Sequence, residues 1–243
     1  VIETATRLDE ALRTAPGVST FRRNDSAAAN PTIHGLSIRA SAASGAGRAL
    51  VILDGQPLND PFGGWVIWGA VPPETIASAT VLRGAGAGPY GAGALTGTVQ
   101  LDERRGQGAT LSLESGGRDQ FRAAGVGEAR DDAWSFMLAA SAQQDDGWIP
   151  VRAERGAADT ELWSDSIAGV ARVEWRDGPR VFSARLGGYS ESRGAGLIGA
   201  ESCTNGSSLS VTLAAPAGDL ALRIQAWAMT SDLYNTSVAI APN

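Results

Sequence analysis

The sequence has few of the residues that form disulfides, bind soft metals or act as catalytic bases. It contains one cysteine, Cys203, and one histidine, His34, in 243 residues. A single thiol cannot close an intrachain disulfide, and one thiol with one imidazole cannot complete a zinc site. His34 has no nucleophile motif near it, so no serine–histidine–aspartate set is assembled. We therefore expect no metal site, no cofactor and no catalytic residues.

Long hydrophobic runs and excess positive charge are missing as well. No run of 18 apolar residues occurs, so no transmembrane helix is predicted. Transmembrane β-strands stay possible, because their hydrophobicity only alternates. The net charge of -6 argues against a nucleic-acid partner and against a polybasic membrane anchor. The sequence starts at Val1 without a signal peptide, and we expect a mature or trimmed form.

Glycine, in contrast, is abundant. The 31 glycines are spread along the chain without a collagen period, which favours tight turns and bulges. A glycine-rich tract follows residue 83, and Gly86, Gly88 and Gly91 match the spacing of a dinucleotide-binding loop. However, Pro89 lies inside that match and Gly93 follows where a helix should begin, so the helix end that would hold a pyrophosphate is missing. The glycines are better explained by positive φ and close backbone approach.

The stretch from Leu50 to Asp102 organises the first part of the chain. An apolar strand over residues 50–53 is followed by Asp54-Gly55, a pair that tolerates the positive φ of a tight turn. Pro72-Pro73-Glu74 suits the start of a short helix, and residues 79–83 form a second predicted strand.

The residues before this stretch carry a helix signal and then strand signals. Leu8, Ala11 and Leu12 share one face of a short predicted helix, for which Thr6 or Asp9 is the candidate cap. We then predict strands over residues 18–21 and 32–39, a polar loop over 22–30 and a flexible loop over 40–47.

From Gly108 onward, apolar residues alternate with polar ones in segments of about eight to twelve residues, the length that a tilted transmembrane strand needs. Along the chain, short turns alternate with long polar loops. The short turns are at residues 131–132, 177–179 and 215–219, and the long loops are at 144–163 and 191–206. Trp134, Trp175 and Phe182 lie beside the short turns, as an interfacial aromatic girdle would. A soluble β-sandwich is the alternative, but it gives no reason for tryptophans at one end.

Four blocks of the first hundred residues resemble the plug domain of TonB-dependent outer-membrane receptors. They follow the family's order and spacing, and they are Leu8–Arg13 with Pro16–Val18, Ser37–Arg39, Arg48–Pro61, and Val81–Gly84 with Tyr90-Gly91 and Ala94–Val99. The resemblance implies an α/β plug domain over residues 1–104. It also implies antiparallel strands of a transmembrane β-barrel over residues 105–243.

The barrel part is short for such a receptor. It has room for roughly seven strands, whereas plugged barrels of this kind use about 22. Seven strands cannot enclose a plug, and an open set leaves two unpaired edges that hydrocarbon does not tolerate. We therefore expect a fragment that holds the plug and the first third of a barrel, and that by itself neither folds stably in a membrane nor transports. No TonB box is recognisable before Leu8, which agrees with that expectation.

The family also implies a function, a location and partners. Its members sit in the outer membrane of Gram-negative bacteria and take up scarce nutrients such as iron-siderophore complexes or cobalamin. The inner-membrane TonB complex supplies the energy by pulling on the plug. TonB, outer-membrane lipid and a nutrient ligand are thus the expected partners, and no enzymatic activity is expected.

Two arginines occupy positions that, in the family, lock the plug to barrel glutamates. They are Arg39 and Arg83, and their partners would lie in strands absent from this chain. A buried guanidinium at such an interface needs a carboxylate partner. Ala40 replaces the family's usual glycine, which puts the local turn geometry in question, and the alternative is that both arginines lie on the surface.

Ligand contacts are less well marked. His34 in the plug and Trp148 and Trp163 in predicted outer loops are the candidates, with Cys203 a weaker one. A lone histidine in a strand is more often structural. Two other functions stay open at this point: a β-rich soluble or surface binding module, and a glycosidase-like β enzyme.

Overall fold

The computed structural model describes residues 5–20, 22, 24–39, 48–84, 91 and 93–239. The predicted flexible loop over 40–47 and the glycine match at Gly86 and Gly88 lie outside these ranges. Within them the chain forms a two-stranded, a four-stranded and a seven-stranded sheet. No helix in the described ranges combines the length and hydrophobicity required to cross a membrane.

The N-terminal unit is a small α/β structure. It comprises helix α1 (Leu8–Arg13) and strands β1 (Val18–Thr20), β2 (Leu36–Ile38), β3 (Ala49–Leu53), β4 (Gln56–Pro57), β5 (Ile76–Arg83) and β6 (Gly97–Glu103), with 3-10 turns at Pro31–Ile33, Trp68–Ala70 and Pro73–Thr75. Strands β1 and β2 pair with each other. The other four form a sheet in the order β4-β3-β6-β5, in which β3 and β6 are parallel.

The core of this unit lies around β3 and β6. Strand β3 is buried along its whole length, as its continuous apolar sequence requires when both faces are covered. Leu8 and Leu12 of α1 pack into the same cluster as Val51 and Trp68. The predicted turn after β3 is confirmed, because Asp54 and Gly55 have φ of 48° and 94°.

The second part of the chain is a meander of seven antiparallel strands, as the alternation predicts. The strands are β7 (Gly108–Ser115), β8 (Phe121–Arg130), β9 (Trp134–Asp145), β10 (Ser164–Asp177), β11 (Arg180–Gly194), β12 (Glu201–Ala217) and β13 (Leu220–Asn235). Each pairs with the next, and within the described residues β7 and β13 do not pair with each other.

The register of the meander confirms the predicted aromatic row. Trp175 on β10 pairs with Trp134 on β9 and with Phe182 on β11, so all three lie on one face beside the short turns. Trp134 also stacks on Phe136, with ring centroids 5.9 Å apart. This outward face is apolar, while the opposite face carries arginines and glutamates and is termed the inward face below.

Four local predictions need correction. Neither Thr6 nor Asp9 caps α1; Arg7 occupies the cap position without a side-chain cap hydrogen bond, and Asp9 is buried. His34 follows the Pro31–Ile33 turn and is not in a strand. The second long loop spans only residues 195–200, and Cys203 lies within β12. The strands on both sides of that loop are longer than their serine- and glycine-rich sequence suggests, because tertiary pairing overrides weak local β preference.

Candidate functional site

The N-terminal unit packs against the inward face of the seven-stranded sheet. The Trp68–Ala70 turn contacts β10 and β11, and the Pro73–Thr75 turn contacts β8. The indole of Trp68 is buried and donates to the carbonyl of His34 at 2.9 Å, which fixes this turn within the unit. Around these apolar contacts, the two parts of the chain are joined mainly by arginine–carboxylate pairs.

Glu103, the last residue of β6, is the most deeply buried carboxylate of this interface. Its Oε2 accepts from Arg172 on β10 at 3.1 Å, and its Oε1 accepts from Arg185 on β11 at 2.8 Å. Arg172 also donates to the carbonyl of Arg104. Since two guanidinium groups compensate one buried carboxylate, removing Glu103 would leave buried charge unpaired.

The linker that follows β6 adds a second set of pairs. Arg105 contacts Asp54 at 3.1 Å and Glu174 at 3.0 Å, and Arg104 contacts Glu128 at 3.3 Å. Burial raises the pKa of the Asp54 carboxyl, an effect that Arg105 offsets only in part. Burial by itself would lower the pKa of Arg105, but the charges of Asp54 and Glu174 outweigh it and raise the pKa.

A third contact ties the Pro73–Thr75 turn to β8. Arg122 makes a two-pronged pair with Glu74, with distances of 2.7 Å and 2.8 Å, and contacts Glu114 at 3.0 Å. Both Arg122 and Glu74 are buried. Such fork-to-carboxylate geometry fixes orientation as well as distance.

The fourth contact lies toward the long loops. Arg7 donates to Glu191 at 3.0 Å, to Gln143 at 3.2 Å and to Ser166 at 3.4 Å. These three acceptors are neighbours in register on β9, β10 and β11, so one guanidinium spans three strands.

Arg193 on β11 extends this contact into the N-terminal unit. It donates to the carbonyls of Ser26 and Ala29 and also pairs with Glu191. Its Nη1 lies 3.4 Å from Nε2 of His34, which is 1% exposed. Burial, with the charges of Arg193 and Arg22 in addition, lowers the pKa of His34 well below 6.5, so His34 is neutral near pH 7.

The predicted plug–barrel arginines lie elsewhere. Arg39 is exposed, has φ of 62°, and its N–H donates to the carbonyl of Gly17 at 2.7 Å. Arg83 is also exposed and donates to the carbonyl of Pro16 at 2.6 Å. Among the described residues neither has a carboxylate partner, and their proposed glutamates would lie in strands outside this chain. Their role stays a prediction.

The predicted ligand residues are not brought together. His34 lies in the buried interface, while Trp148 and Trp163 lie in the loop between β9 and β10. Trp148 stacks beneath the guanidinium of Arg118 at 5.2 Å, and the ring of Trp163 lies against Gly194. Their role as ligand contacts also stays a prediction. In the described part of the chain, no three His, Cys, Asp or Glu side chains cluster so as to hold a metal ion.

Sequence reasoning missed the wall arginines, Arg122, Arg172, Arg185 and Arg193. A signal for them exists, since all four fall on the polar face of period-two strands, and a charged residue facing the inside of a barrel needs a partner there. Their partners cannot be read from local spacing, because Glu103 precedes Arg185 by 82 residues.

The architecture is a small α/β domain held by ion pairs on the inward face of a seven-stranded antiparallel sheet. Residues 2–98 match the family model described as the TonB-dependent receptor plug domain. The N-terminal unit is therefore a TonB-dependent receptor plug domain, and the seven strands have the fold of the barrel that surrounds it. Receptors that carry this plug domain are outer-membrane proteins of Gram-negative bacteria.

Solved structures support the fold. A mutant of the ferric enterobactin receptor PfeA from Pseudomonas aeruginosa matches with a TM-score of 0.72 at 15% identity, covering 95% of this chain and 39% of that one. The FrpB iron transporter from Neisseria meningitidis also gives 0.72, at 14% identity, covering 96% and 39%. The copper transporter OprC gives 0.66 at 18% identity, covering 93% and 34%.

The chain thus spans less than half the length of these neighbours. No curated protein matches the sequence.

Proposed function

We propose that this protein acts in the energy-coupled uptake of a scarce nutrient across the outer membrane, with an iron chelate as the first candidate and cobalamin as the alternative. The observation that carries the proposal is the set of buried arginine–carboxylate pairs between plug and sheet, centred on Glu103, Glu74 and Arg7.

These pairs suit an interface that must separate. The desolvation cost of a buried ion pair largely cancels its Coulomb attraction, so the pair loses little when both charges return to water. An apolar interface of the same size would have to expose hydrophobic surface on separation. Displacing a plug that is held mainly by ion pairs into a water-filled barrel therefore costs less free energy than displacing one held by a hydrophobic interface.

The nutrient class is supported by the roles of proteins with the same fold. These include a ferric enterobactin receptor, an iron transporter and a copper transporter, two of which act on iron. Trp148 and Trp163 in the outer loop, together with His34, are the proposed ligand contacts. TonB is the proposed energy source, outer-membrane lipid covers the apolar outward face, and Arg39 and Arg83 face further barrel glutamates. We place the boundary between plug and barrel at residues 104/105.

Deletion of the gene in its own host tests the proposal. Deletion mutant and parent are compared for uptake of iron-55 bound to siderophores under iron limitation, in tonB-positive and tonB-negative backgrounds. A loss of uptake on deletion, matched by a loss without TonB, supports the proposal. Equal iron uptake in mutant and parent, with equal labelled cobalamin uptake in a parallel assay, contradicts it.

A further inference from the structure

A pocket of about 190 Å³ lies at the short-turn end of the interface, between the Asp54-Gly55 turn of the plug and strands β10 to β13. Its lining includes five arginines and only two carboxylates, Asp54 and Glu174. The arginines are Arg105, Arg172, Arg176, Arg185 and Arg223. Glu103, behind the lining, brings the balance to five positive against three negative charges.

The carboxylates of this pocket are already engaged. Arg105 forms ion pairs with both Asp54 and Glu174. Glu103 forms ion pairs with both Arg172 and Arg185. Glu174 also pairs with Arg176 at 2.9 Å, and Asp54 lies 3.9 Å from Arg172, so of the five arginines only Arg223 has no carboxylate partner among the described residues. Five guanidinium groups against three carboxylates still leave an excess of positive charge in the pocket.

Donors remain available on those groups. Arg172 is 4% exposed, and its buried Nε has no hydrogen-bond partner among the described residues. Arg185 uses Nε for Glu103, and no described partner accepts from its two terminal nitrogens. Arg223 spends one Nη on the carbonyl of Asp54 at 3.2 Å and is otherwise exposed.

Hydroxyl groups complete the opposite wall. Ser183, Ser210 and Thr212 line the pocket from β11 and β12, and their hydroxyl groups form no hydrogen bond with any described residue. Clustered guanidinium donors with neighbouring hydroxyls are the chemistry that binds oxyanions, since arginine matches phosphate and carboxylate geometry.

We propose that this pocket, lined by Arg172, Arg185 and Arg223, binds an oxyanion group, a phosphate or a carboxylate, at the inner end of the plug–barrel interface. The group comes either from a free anion or from an acidic group on the transported nutrient. The site goes beyond the proposed function, because anion binding here does not require that the protein transport iron.

Binding of inorganic phosphate to the purified full chain in detergent, followed by isothermal titration calorimetry at low ionic strength, tests the site. The test variant is Arg223→Gln, because Arg223 is exposed and can be changed without breaking the buried Glu103 pairs. The matched control is Arg180→Gln, which removes the same charge from an exposed arginine at the β10–β11 turn, outside the pocket.

We expect saturable phosphate binding that weakens with salt, falls about tenfold in Arg223→Gln and is unchanged in Arg180→Gln. No saturable binding by the parent chain, or equal binding by both variants, overturns the proposal. Ferric citrate, an anionic iron chelate, distinguishes the two sources. Competition with phosphate that iron-free citrate does not reproduce assigns the site to the nutrient. Phosphate binding without competition, or with equal competition by iron-free citrate, assigns it to a free anion. The iron uptake assay reads transport separately, so either proposal can fail alone.

Discussion

Glu103 at the end of β6 lies 2.8 Å from the Nε of Arg185 on β11, and neither side chain is more than 6% exposed. Because β6 is the last strand of the plug, this pair fixes the plug to the sheet close to the point where the chain passes from one to the other. Arg172 on the neighbouring strand completes the arrangement at 3.1 Å.

Replacing Glu103 tests how much this contact contributes. Glu103→Gln leaves the buried Arg185 without a carboxylate partner and Arg172 with only Asp54, 3.9 Å away, and we expect the free energy of unfolding to fall by about 3–5 kcal/mol. Denaturant unfolding followed by tryptophan fluorescence measures it. Asp132→Asn, which removes the same charge at the exposed β8–β9 turn, is the control and should be neutral. An equally small effect of both changes would show that Glu103 is solvated.

The Glu74–Arg122 pair predicts that substitutions at these two residues have non-additive effects on the free energy of unfolding. Arg122→Gln leaves the buried Glu74 unpaired, and Glu74→Gln leaves Arg122 with only the partly exposed Glu114, so the double variant should be more stable than the sum of the two losses implies. We expect a coupling energy of about 1–3 kcal/mol from a double-mutant cycle on unfolding free energies. Strict additivity would mean that the two side chains do not interact in solution.

Gly97 is predicted to be irreplaceable at the start of β6. Its φ is 146°, and a Cβ there would lie 2.3 Å from the carbonyl oxygen of Leu82 on β5. Gly97→Ala should therefore destabilise the plug by about 1–3 kcal/mol or more through strain and displaced pairing. The comparison is Gly127→Ala on β8, where the nearest atom is 4.0 Å away and the change should be tolerated. Thermal melting of both variants measures the difference in stability. Equal melting temperatures would argue against the β5–β6 register.

His34 predicts a pH dependence of stability. Its pKa in the folded state is well below 6.5, so as pH falls below about 6.5 the unfolded chain binds a proton that the folded chain does not. Stability should decline by up to about 1.4 kcal/mol per pH unit in that range. Above pH 6.5 His34 is neutral in both the folded and the unfolded chain, so its full contribution to the free energy of unfolding is present.

His34→Gln should remove that part of the pH dependence, and denaturant midpoints between pH 5 and 8 measure it. An unchanged slope in the variant would assign the acid sensitivity to other groups.

The outward aromatic row predicts where the membrane interface lies. Trp134 and Trp175 should be quenched by lipids brominated near the headgroup, whereas Trp68, buried in the plug, should not. Substituting phenylalanine for both Trp134 and Trp175 should reduce the quenched fraction of the fluorescence. If the quenched fraction stayed the same, this row would not face lipid at that depth.

Sequence patterns predicted secondary-structure elements and turns better than they predicted which residues form ion pairs. The row of Trp134, Trp175 and Phe182 follows from strict alternation, and the Asp54-Gly55 turn follows from local backbone preference, so both are readable from a few adjacent residues. The pairing of Glu103 with Arg172 joins residues 69 positions apart, and nothing near either residue marks the other.

Gly206 shows why one loop prediction was wrong. It lies in a serine- and glycine-rich segment that looks like a loop, yet a Cβ there would meet the backbone of Thr230 at 2.3 Å and the ring of Tyr189 at 2.9 Å. Glycine is therefore required by packing within the sheet, and β12 runs through it.

Photo-crosslinking from the plug tests the central claim, that this domain lies on the inward face of the sheet. A benzophenone side chain at Ala70 lies in the Trp68–Ala70 turn, which contacts β10 and β11. In the purified full chain in detergent, mass spectrometry should find it attached to peptides of β10 or β11, between residues 164 and 194. Attachment only within the plug, or no attachment to the sheet at all, would contradict the account.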